Sequence, residues 1–238
     1  MNTFIQEATG KKVFYINAVN GSGGRMAGVF AGEAIAVKAP AWELAERYFT
    51  QEAPQADVLI VGLPQAYPYG SANNTLIASV GALVPPRFSS EAPLLREGGV
   101  VIALSPSNGQ IDRRIYPSYQ DLLDLYAKFH STRPLVDFEE EFDNRPEYRL
   151  QYAHGHGFPP LHPFWLIYEN EYTLNRASSV IMAGTTHPGA FRALGLATAP
   201  DFDSAWKMAK KYVGPNPTTV VAPTFWSKPR FKFAVKSE

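Results

Sequence analysis

The sequence predicts an α/β fold: a mostly parallel sheet with helices on both faces, plus an N-terminal β-hairpin. Two continuous apolar runs, residues 57–61 and 99–104, are typical of strands that are buried on both faces of a sheet. Residues 118–129 repeat apolar side chains at helical spacing, which indicates an amphipathic helix between such strands. Buried strands that alternate with helices need crossover connections, and these make neighbouring strands parallel.

The hairpin is predicted at the start of the chain. Residues 12–19 are rich in β-branched and aromatic side chains, as strands usually are. Residues 21–24 read GSGG, which is typical of a turn, and residues 26–31 return as a second strand. Two short strands joined by a glycine-rich turn favour antiparallel pairing.

The remaining elements follow in order along the chain. We expect Pro40 to open a helix, because Trp42, Ala45 and Phe49 recur after it at helical spacing. The further predictions are a helix over residues 201–213 and two core strands, residues 179–182 and, as the last of the core strands, residues 218–222.

Composition and charge exclude several classes of partner. The 238 residues are 45% apolar and 18% charged, which suits one globular α/β domain over residues 1–238. The 22 basic and 22 acidic residues cancel, whereas nucleic-acid binding favours a basic surplus. The absence of cysteine excludes disulfides and thiolate chemistry. We find no signal-peptide pattern and no apolar run near the ~20 residues that cross a bilayer, so we expect a cytoplasmic protein without a membrane partner.

Ligands of parallel sheets bind at the carboxyl ends of the strands, so the loops there are candidate sites. The loop after the first apolar run carries Tyr67, Asn73 and Asn74, whose side chains can both pack against a ligand and hydrogen-bond to it. The loop after the second run contains Ser107, and its hydroxyl and backbone N–H groups could hold a carboxylate or phosphate. The alternative is that these loops only satisfy turn geometry.

Several common motifs are missing. No Walker loop and no G-x-G-x-x-G after a strand occur, so binding of a dinucleotide in the Rossmann manner is poorly supported. There is also no G-x-S-x-G nucleophile elbow. A third strand-end loop carries His187, which could equally face a ligand or cap the next helix.

A histidine-rich segment stands out. His154, His156 and His162 fall within nine positions and are followed by Trp165. Three imidazoles could hold zinc, but no carboxylate accompanies them at ligand spacing. Contact with substrate or proton transfer is the interpretation that we favour, because histidine titrates near neutral pH. Helix capping and, for Trp165, packing in the core are the alternatives.

Four segments in this order resemble the C-terminal domain of the lactate racemase family, over nearly the whole chain. Residues 17–33 (NAVNGSGGRMAGVFAGE) are similar to the family's strand–turn–strand, and residues 56–68 (ADVLIVGLPQAYP) to its next strand and Tyr-Pro loop. Residues 97–102 (EGGVVI) resemble a further strand. Ser204-Ala205 and residues 219–223 (TVVAP) match the closing helix–strand unit.

The resemblance implies an isomerase that uses a nickel-pincer nucleotide to racemise or epimerise small 2-hydroxy acids by hydride transfer. It also implies that a further, N-terminal domain, in cis or in trans, holds the cofactor. This chain would then form one wall of the cleft for cofactor and substrate, and it would be inactive alone. We predict no metal ligands here. The candidate catalytic residues are His154 and His156, and the candidate binding residues are Tyr67, Asn73, Asn74, Ser107, His162 and Trp165.

One departure from the family pattern points to a divergent branch. The best-known branch has Tyr, Gln and Lys side chains that touch substrate where this sequence has Leu76, Ile77 and Val80. Apolar side chains cannot bind a carboxylate, so lactate itself is not the expected substrate. A non-catalytic binding or assembly domain that keeps the fold is the alternative function.

Overall fold

The N-terminal hairpin is confirmed. The structure, a computed structural model, describes residues 2–67, 70–71, 73–155, 157–226 and 232–235. Helix α1 (Asn2–Thr9) precedes strands β1 (Tyr15–Asn20) and β2 (Met26–Gly32), which pair antiparallel. The turn between them contains Gly23 and Gly24, both at positive φ, a conformation that glycine adopts without strain.

The central sheet consists of five parallel strands: β4 (Ala56–Gly62), β8 (Leu95–Leu104), β9 (Ser179–Ala183), β10 (Ala197–Ala199) and β11 (Thr219–Ala222). Their order across the sheet is β10-β9-β8-β4-β11. The two apolar runs form the neighbouring strands β4 and β8, which are largely buried, as predicted.

Helices cover both faces of this sheet, because side chains along each strand alternate between the faces. Leu59, Val101 and Val180 belong to the larger core, on the face that carries α3 (Thr75–Leu83), α4 (Pro117–Phe129) and α7 (His162–Arg176). Val58, Val100 and Ile181 belong to the opposite core, which Ala205 and Ala209 of α9 (Phe202–Val213) complete. The predicted mostly parallel sheet between helices is therefore confirmed.

Helix α2 (Ala34–Phe49) corrects one expectation. Pro40 lies inside this helix and does not open it. Alanine residues 34 and 36 are strong helix formers, so the helix starts before the proline. Val37 and Ala41 are buried, and α2 packs against the hairpin, whereas Trp42 is 62% exposed.

A second, three-stranded sheet was not predicted. It has the order β3-β12-β7 and consists of β3 (Thr50–Ala53), β7 (Ser89–Ser90) and β12 (Lys232–Val235). Strand β11 is the last strand of the central sheet, as expected, but β12 follows it along the chain. The short pair β5 (Ala66–Tyr67) and β6 (Gly70–Ser71) and the helices α5 (Glu139–Asn144), α6 (Pro146–His154) and α8 (Pro188–Ala193) complete the described elements.

The connections place three strand ends side by side. The chain runs outward from β4 through β8 and β9 to β10, and α9 then returns it to β11 on the other side of β4. The carboxyl ends of β4, β8 and β9 therefore meet at one edge of the sheet. No helix within the described ranges is long and apolar enough to cross a bilayer.

Candidate ligand-binding site

The loops after β4, β8 and β9 are tied together by hydrogen bonds. Ser107 Oγ donates to the carbonyl of Asn73 (3.3 Å), and Thr75 Oγ1 donates to the carbonyl of Gly109 (2.8 Å). On the other side, Thr185 Oγ1 donates to the carbonyl of Ser107 (2.9 Å). The loop after β8 thus bridges its two neighbours and forms a fixed platform at the edge of the sheet.

Close packing holds this platform in shape. Ser107 is fully buried, and its Oγ also accepts from the backbone N–H of Gly109 (3.1 Å). Gly109 has φ +67°, and a Cβ there would lie 3.0 Å from the carbonyl oxygen of His187. Glycine is needed at this position because a side chain would strain the backbone and press on the third loop.

A cleft of about 450 Å³ lies beside the platform, within the usual size range of small-molecule sites. Four of its nine lining residues carry side-chain amides. The lining residues are Asn73, Asn74, Asn108, Gln110, Ile111, Asp112, Arg114, Ile115 and Tyr116.

Asn74 combines a structural role with a buried donor that has no partner among the described residues. It is 2% exposed, and its Oδ1 caps α3 by accepting from the N–H groups of Leu76 (3.0 Å) and Ile77 (3.4 Å). This cap assigns the other branch of the amide as Nδ2, which has no hydrogen-bond partner in the described part of the chain. A buried donor without a partner is unusual, and this one belongs to a residue that borders the cleft.

The charges of the cleft cancel. Arg114 binds Asp112 through Nε (3.1 Å) and Nη2 (2.9 Å), and its backbone N–H donates to the same carboxylate (2.9 Å). The guanidinium beside Asp112 holds the pKa of that carboxyl below its ordinary value, so the pair stays ionised at neutral pH. Because each charge already has its partner, the lining presents a nearly neutral surface.

An aromatic cluster lies behind the Tyr116 side of the cleft. The Tyr116 ring stacks on Phe158 with centroids 6.3 Å apart, and Phe158 stacks on His162 at 4.3 Å. His162 Nδ1 is hydrogen-bonded to the hydroxyl of Tyr119, which is 1% exposed. Burial lowers the pKa of His162 and raises that of the Tyr119 hydroxyl, so both groups favour their neutral forms.

The predicted site residues divide into separate groups. Asn73, Asn74 and Ser107 come together at the platform and cleft. Trp165 belongs to the aromatic cluster, with its ring 6.1 Å from His162, and is 52% exposed. His154 is exposed at the end of α6. His156 and the side chain of Tyr67 lie outside the described residues, so their roles stay predictions.

Sequence reasoning missed most of the cleft, because only Asn73 and Asn74 of its lining residues were predicted. Gln110, Asp112, Arg114 and Tyr116 follow directly after the loop that carries Ser107, and all of them line the cleft. Their position in the sequence could have indicated this role. A polar segment that continues a strand-end loop lies at the same edge of the sheet as that loop.

The three apolar residues at the family's substrate positions belong to the core. Leu76, Ile77 and Val80 are 0%, 1% and 3% exposed, on a helix that packs against α7. Hydrogen bonds fix this packing: Asn170 Nδ2 donates to Ser79 Oγ (3.1 Å), and Thr173 Oγ1 donates to the carbonyl of Leu83 (2.6 Å). In this chain, therefore, these positions stabilise the fold.

The cleft does not supply a metal-binding set. Within the described ranges, no group of three or more His, Asp or Glu side chains could hold a metal ion. The amide and hydroxyl groups of the cleft suit hydrogen bonds to the oxygens of an organic ligand. The described lining residues do not form the ligand set of a nickel ion.

Fold and site together define an α/β protein with a cleft at the carboxyl edge of its central sheet. No family model matches the sequence, and no curated protein matches it. The structure is similar to that of the lactate racemase apoprotein from Thermoanaerobacterium thermosaccharolyticum, with a TM-score of 0.59 and 15% identity over 99% of this chain and 48% of that chain.

A crystal structure of a Thermotoga maritima protein is more weakly similar, with a TM-score of 0.44 and 16% identity over 98% of this chain and 51% of that chain. This chain therefore spans about half the length of either protein. At 15% identity, the similarity to lactate racemase establishes a shared fold.

Proposed function

We propose that this chain is the C-terminal half of a lactate racemase-like isomerase, a racemase or epimerase of 2-hydroxy acids. It would form one wall of a cleft for a nickel-pincer nucleotide and substrate. The observation that carries the proposal is the buried Nδ2 donor of Asn74, which has no partner among the described residues and borders a cleft at the carboxyl edge of the parallel sheet, where such sheets generally bind ligands. The shared fold with lactate racemase supports the reaction class by analogy.

In this proposal the chain binds and orients substrate. Asn74 Nδ2 donates to a substrate oxygen, while Asn73 and Asn108 line the cleft beside it. His154 and His156 are our candidates for moving the hydroxyl proton of the substrate. A nickel-pincer nucleotide, when bound, supplies the site that accepts and returns hydride. An N-terminal domain, in cis or in trans, is the proposed partner that holds this cofactor.

The alternative, a non-catalytic binding or assembly domain, has one observation in its favour. The substrate-contacting positions of the best-known branch are filled here by Leu76, Ile77 and Val80, all of which are buried. A domain that lost catalysis but kept its fold would retain such a core.

Ligand titration of the ¹⁵N-labelled full chain tests the proposal. A 2-hydroxy acid should shift the backbone amide signals of Asn73, Asn108 and Thr185, and the matching acid without the 2-hydroxyl group should shift them less. Signals that stay unchanged with every 2-hydroxy acid, or that move only far from the platform, would favour the alternative. Racemisation of lactate by this chain alone, with cofactor added, would contradict the half-enzyme proposal.

A further inference from the structure

We infer that two copies of this chain associate through strand β2 of the N-terminal hairpin, antiparallel across a two-fold axis at Val29. The two hairpins then form one sheet of four strands. This surface includes no residue that lines the cleft and none of the three platform loops, so the inference goes beyond the proposed function and does not depend on it.

The first argument is that β2 has an open edge. The hairpin is a sheet of two strands, and β2 pairs only with β1 among the described residues. The opposite edge of β2 therefore presents backbone N–H and C=O groups that can pair with a further strand. Proteins usually protect such an edge with charged side chains or proline, but the seven residues of β2 (MAGVFAG) include neither. An unprotected edge of this length favours the addition of a strand.

The second argument is that β2 is apolar on both of its faces. Gly28 faces α2, because a Cβ there would lie 2.6 Å from the side chain of Leu44. The next residue, Val29, points to the opposite face and is exposed, as is Ile16 on the neighbouring strand. Uninterrupted apolar runs are typical of strands that are covered on both faces. Pairing with a second copy places another set of these side chains beside the first, so that each set shields the other.

The third argument selects a second copy as the occupant. Arg25 lies four residues before Val29, and Glu33 lies four residues after it. Antiparallel pairing centred on Val29 therefore places Arg25 of each copy opposite Glu33 of the other. The backbone is extended at both positions, with φ −91° and ψ 152° at Arg25 and φ −70° and ψ 151° at Glu33. Two-fold symmetry makes this match of opposite charges occur twice.

Both charges are available for this contact. Arg25 is exposed and has no ion-pair partner in the described part of the chain, and the exposed Glu33 contacts Lys12 at 3.4 Å, also at the surface. The edge of β1 offers no such match, because residues 10–25 contain basic side chains but no acidic one. Self-complementary charge therefore favours the edge of β2 over that of β1.

The first test uses the absence of cysteine from the chain. Residues directly opposite in an antiparallel pair have Cα atoms about 4.5–5.5 Å apart, which is within disulfide range. Under mild oxidation, Val29→Cys should therefore form a covalent dimer on non-reducing gels. Val136→Cys is the matched control, because Val136 is as exposed as Val29 (57% against 54%) but lies outside the hairpin, and it should stay largely monomeric.

The second test measures the mass and dissociation constant of the full chain by analytical ultracentrifugation. Wild type should have twice the chain mass of 26.3 kDa. Arg25→Glu should weaken the dimer by roughly tenfold or more, because two attractive pairs become repulsive. Adding Glu33→Arg to that variant restores opposite charges at both pairs and should return the affinity close to that of wild type. Circular dichroism checks that these surface variants stay folded.

Each result bears on the inference. A wild-type chain that stays monomeric up to its solubility limit would overturn it, and a different occupant, such as the proposed N-terminal domain, would then cover β2. A dimer in which Val29→Cys forms no more disulfide than Val136→Cys would place the interface elsewhere and also overturn it. Failure of the double charge reversal to restore the affinity would contradict the register centred on Val29.

Discussion

At the scale of single residues, His162 shows how packing sets chemistry. Its ring is half-buried between Phe158 and Trp165, and its Nδ1 is bonded to the Tyr119 hydroxyl. Burial removes water that would stabilise the imidazolium, so the pKa of His162 is lowered from the ordinary value of 6.5. A histidine in this state is neutral at physiological pH.

We predict a titration midpoint below 6.5 for His162 by NMR. The unfolded chain binds a proton on His162 more readily than the folded chain does. Neutral His162 therefore contributes to stability above pH 6.5, and this contribution is lost as the pH falls through the folded-state pKa. The His162→Gln variant should therefore lose less stability than wild type between pH 7 and pH 5, measured by urea unfolding. A midpoint at or above 6.5, or equal losses in both proteins, would contradict this account.

At the scale of elements, Gly62 at the end of β4 lies in close contact with the residue that follows β11. A Cβ on this residue would lie 2.2 Å from the carbonyl oxygen of Pro223, which directly follows β11. The two strands are paired in parallel, from Thr219 with Val58 to Ala222 with Val61, so neither can shift without breaking the ladder.

Gly62→Ala should therefore destabilise the protein by about 1–3 kcal/mol or more, because the backbone of β11 must move. The matched control is Gly189→Ala in α8, where a Cβ would meet nothing within 4 Å. That substitution should leave the free energy of unfolding unchanged or slightly increased. Equal effects of the two substitutions in urea titrations would show that the contact with Pro223 is not rigid.

The elements also show where sequence reasoning works. Strands β4 and β8 were predictable because both faces are buried, which requires uninterrupted apolar runs. The second, three-stranded sheet could not be predicted, because β3 (Thr50–Ala53) and β7 (Ser89–Ser90) are short and polar. Both strands pair with β12, which is distant from them in sequence. In the cleft, Asn73 and Asn74 could be predicted from their loop, but the role of Asn74 as a helix cap with a buried, unpartnered donor among the described residues required coordinates.

The burial of α3 gives a second prediction at this scale. Ile77→Gln places an amide at a position that is 1% exposed and should cost about 2–5 kcal/mol. The same change at Ile35 in α2, which is 89% exposed, is the control and should cost less than about 0.5 kcal/mol. If both variants unfold at the same urea concentration as wild type, Ile77 lies outside the core and could face a ligand.

At the scale of the whole molecule, two apolar cores on opposite faces of one sheet account for the fold. The larger core joins α3, α4 and α7 to the sheet, and the smaller one joins α9 to it. Both cores consist of side chains from the described ranges. The platform formed by the loops after β4, β8 and β9 adjoins the larger core, and its residues Asn74 and Ser107 are themselves buried.

The full chain should therefore unfold in one cooperative thermal transition without added metal or cofactor, followed by circular dichroism. Treatment with a chelator should leave the melting temperature unchanged, because no described group of His, Asp or Glu side chains could hold a metal ion. His156 lies outside the described residues, so the measurement also tests a site that it could form with His154 and His162. A structural metal there would count as folding energy, and chelation would then lower the melting temperature by many degrees or abolish the transition. The variants His154→Ala and His162→Ala distinguish the two cases, since loss of a structural ligand would remove the chelator effect along with the metal.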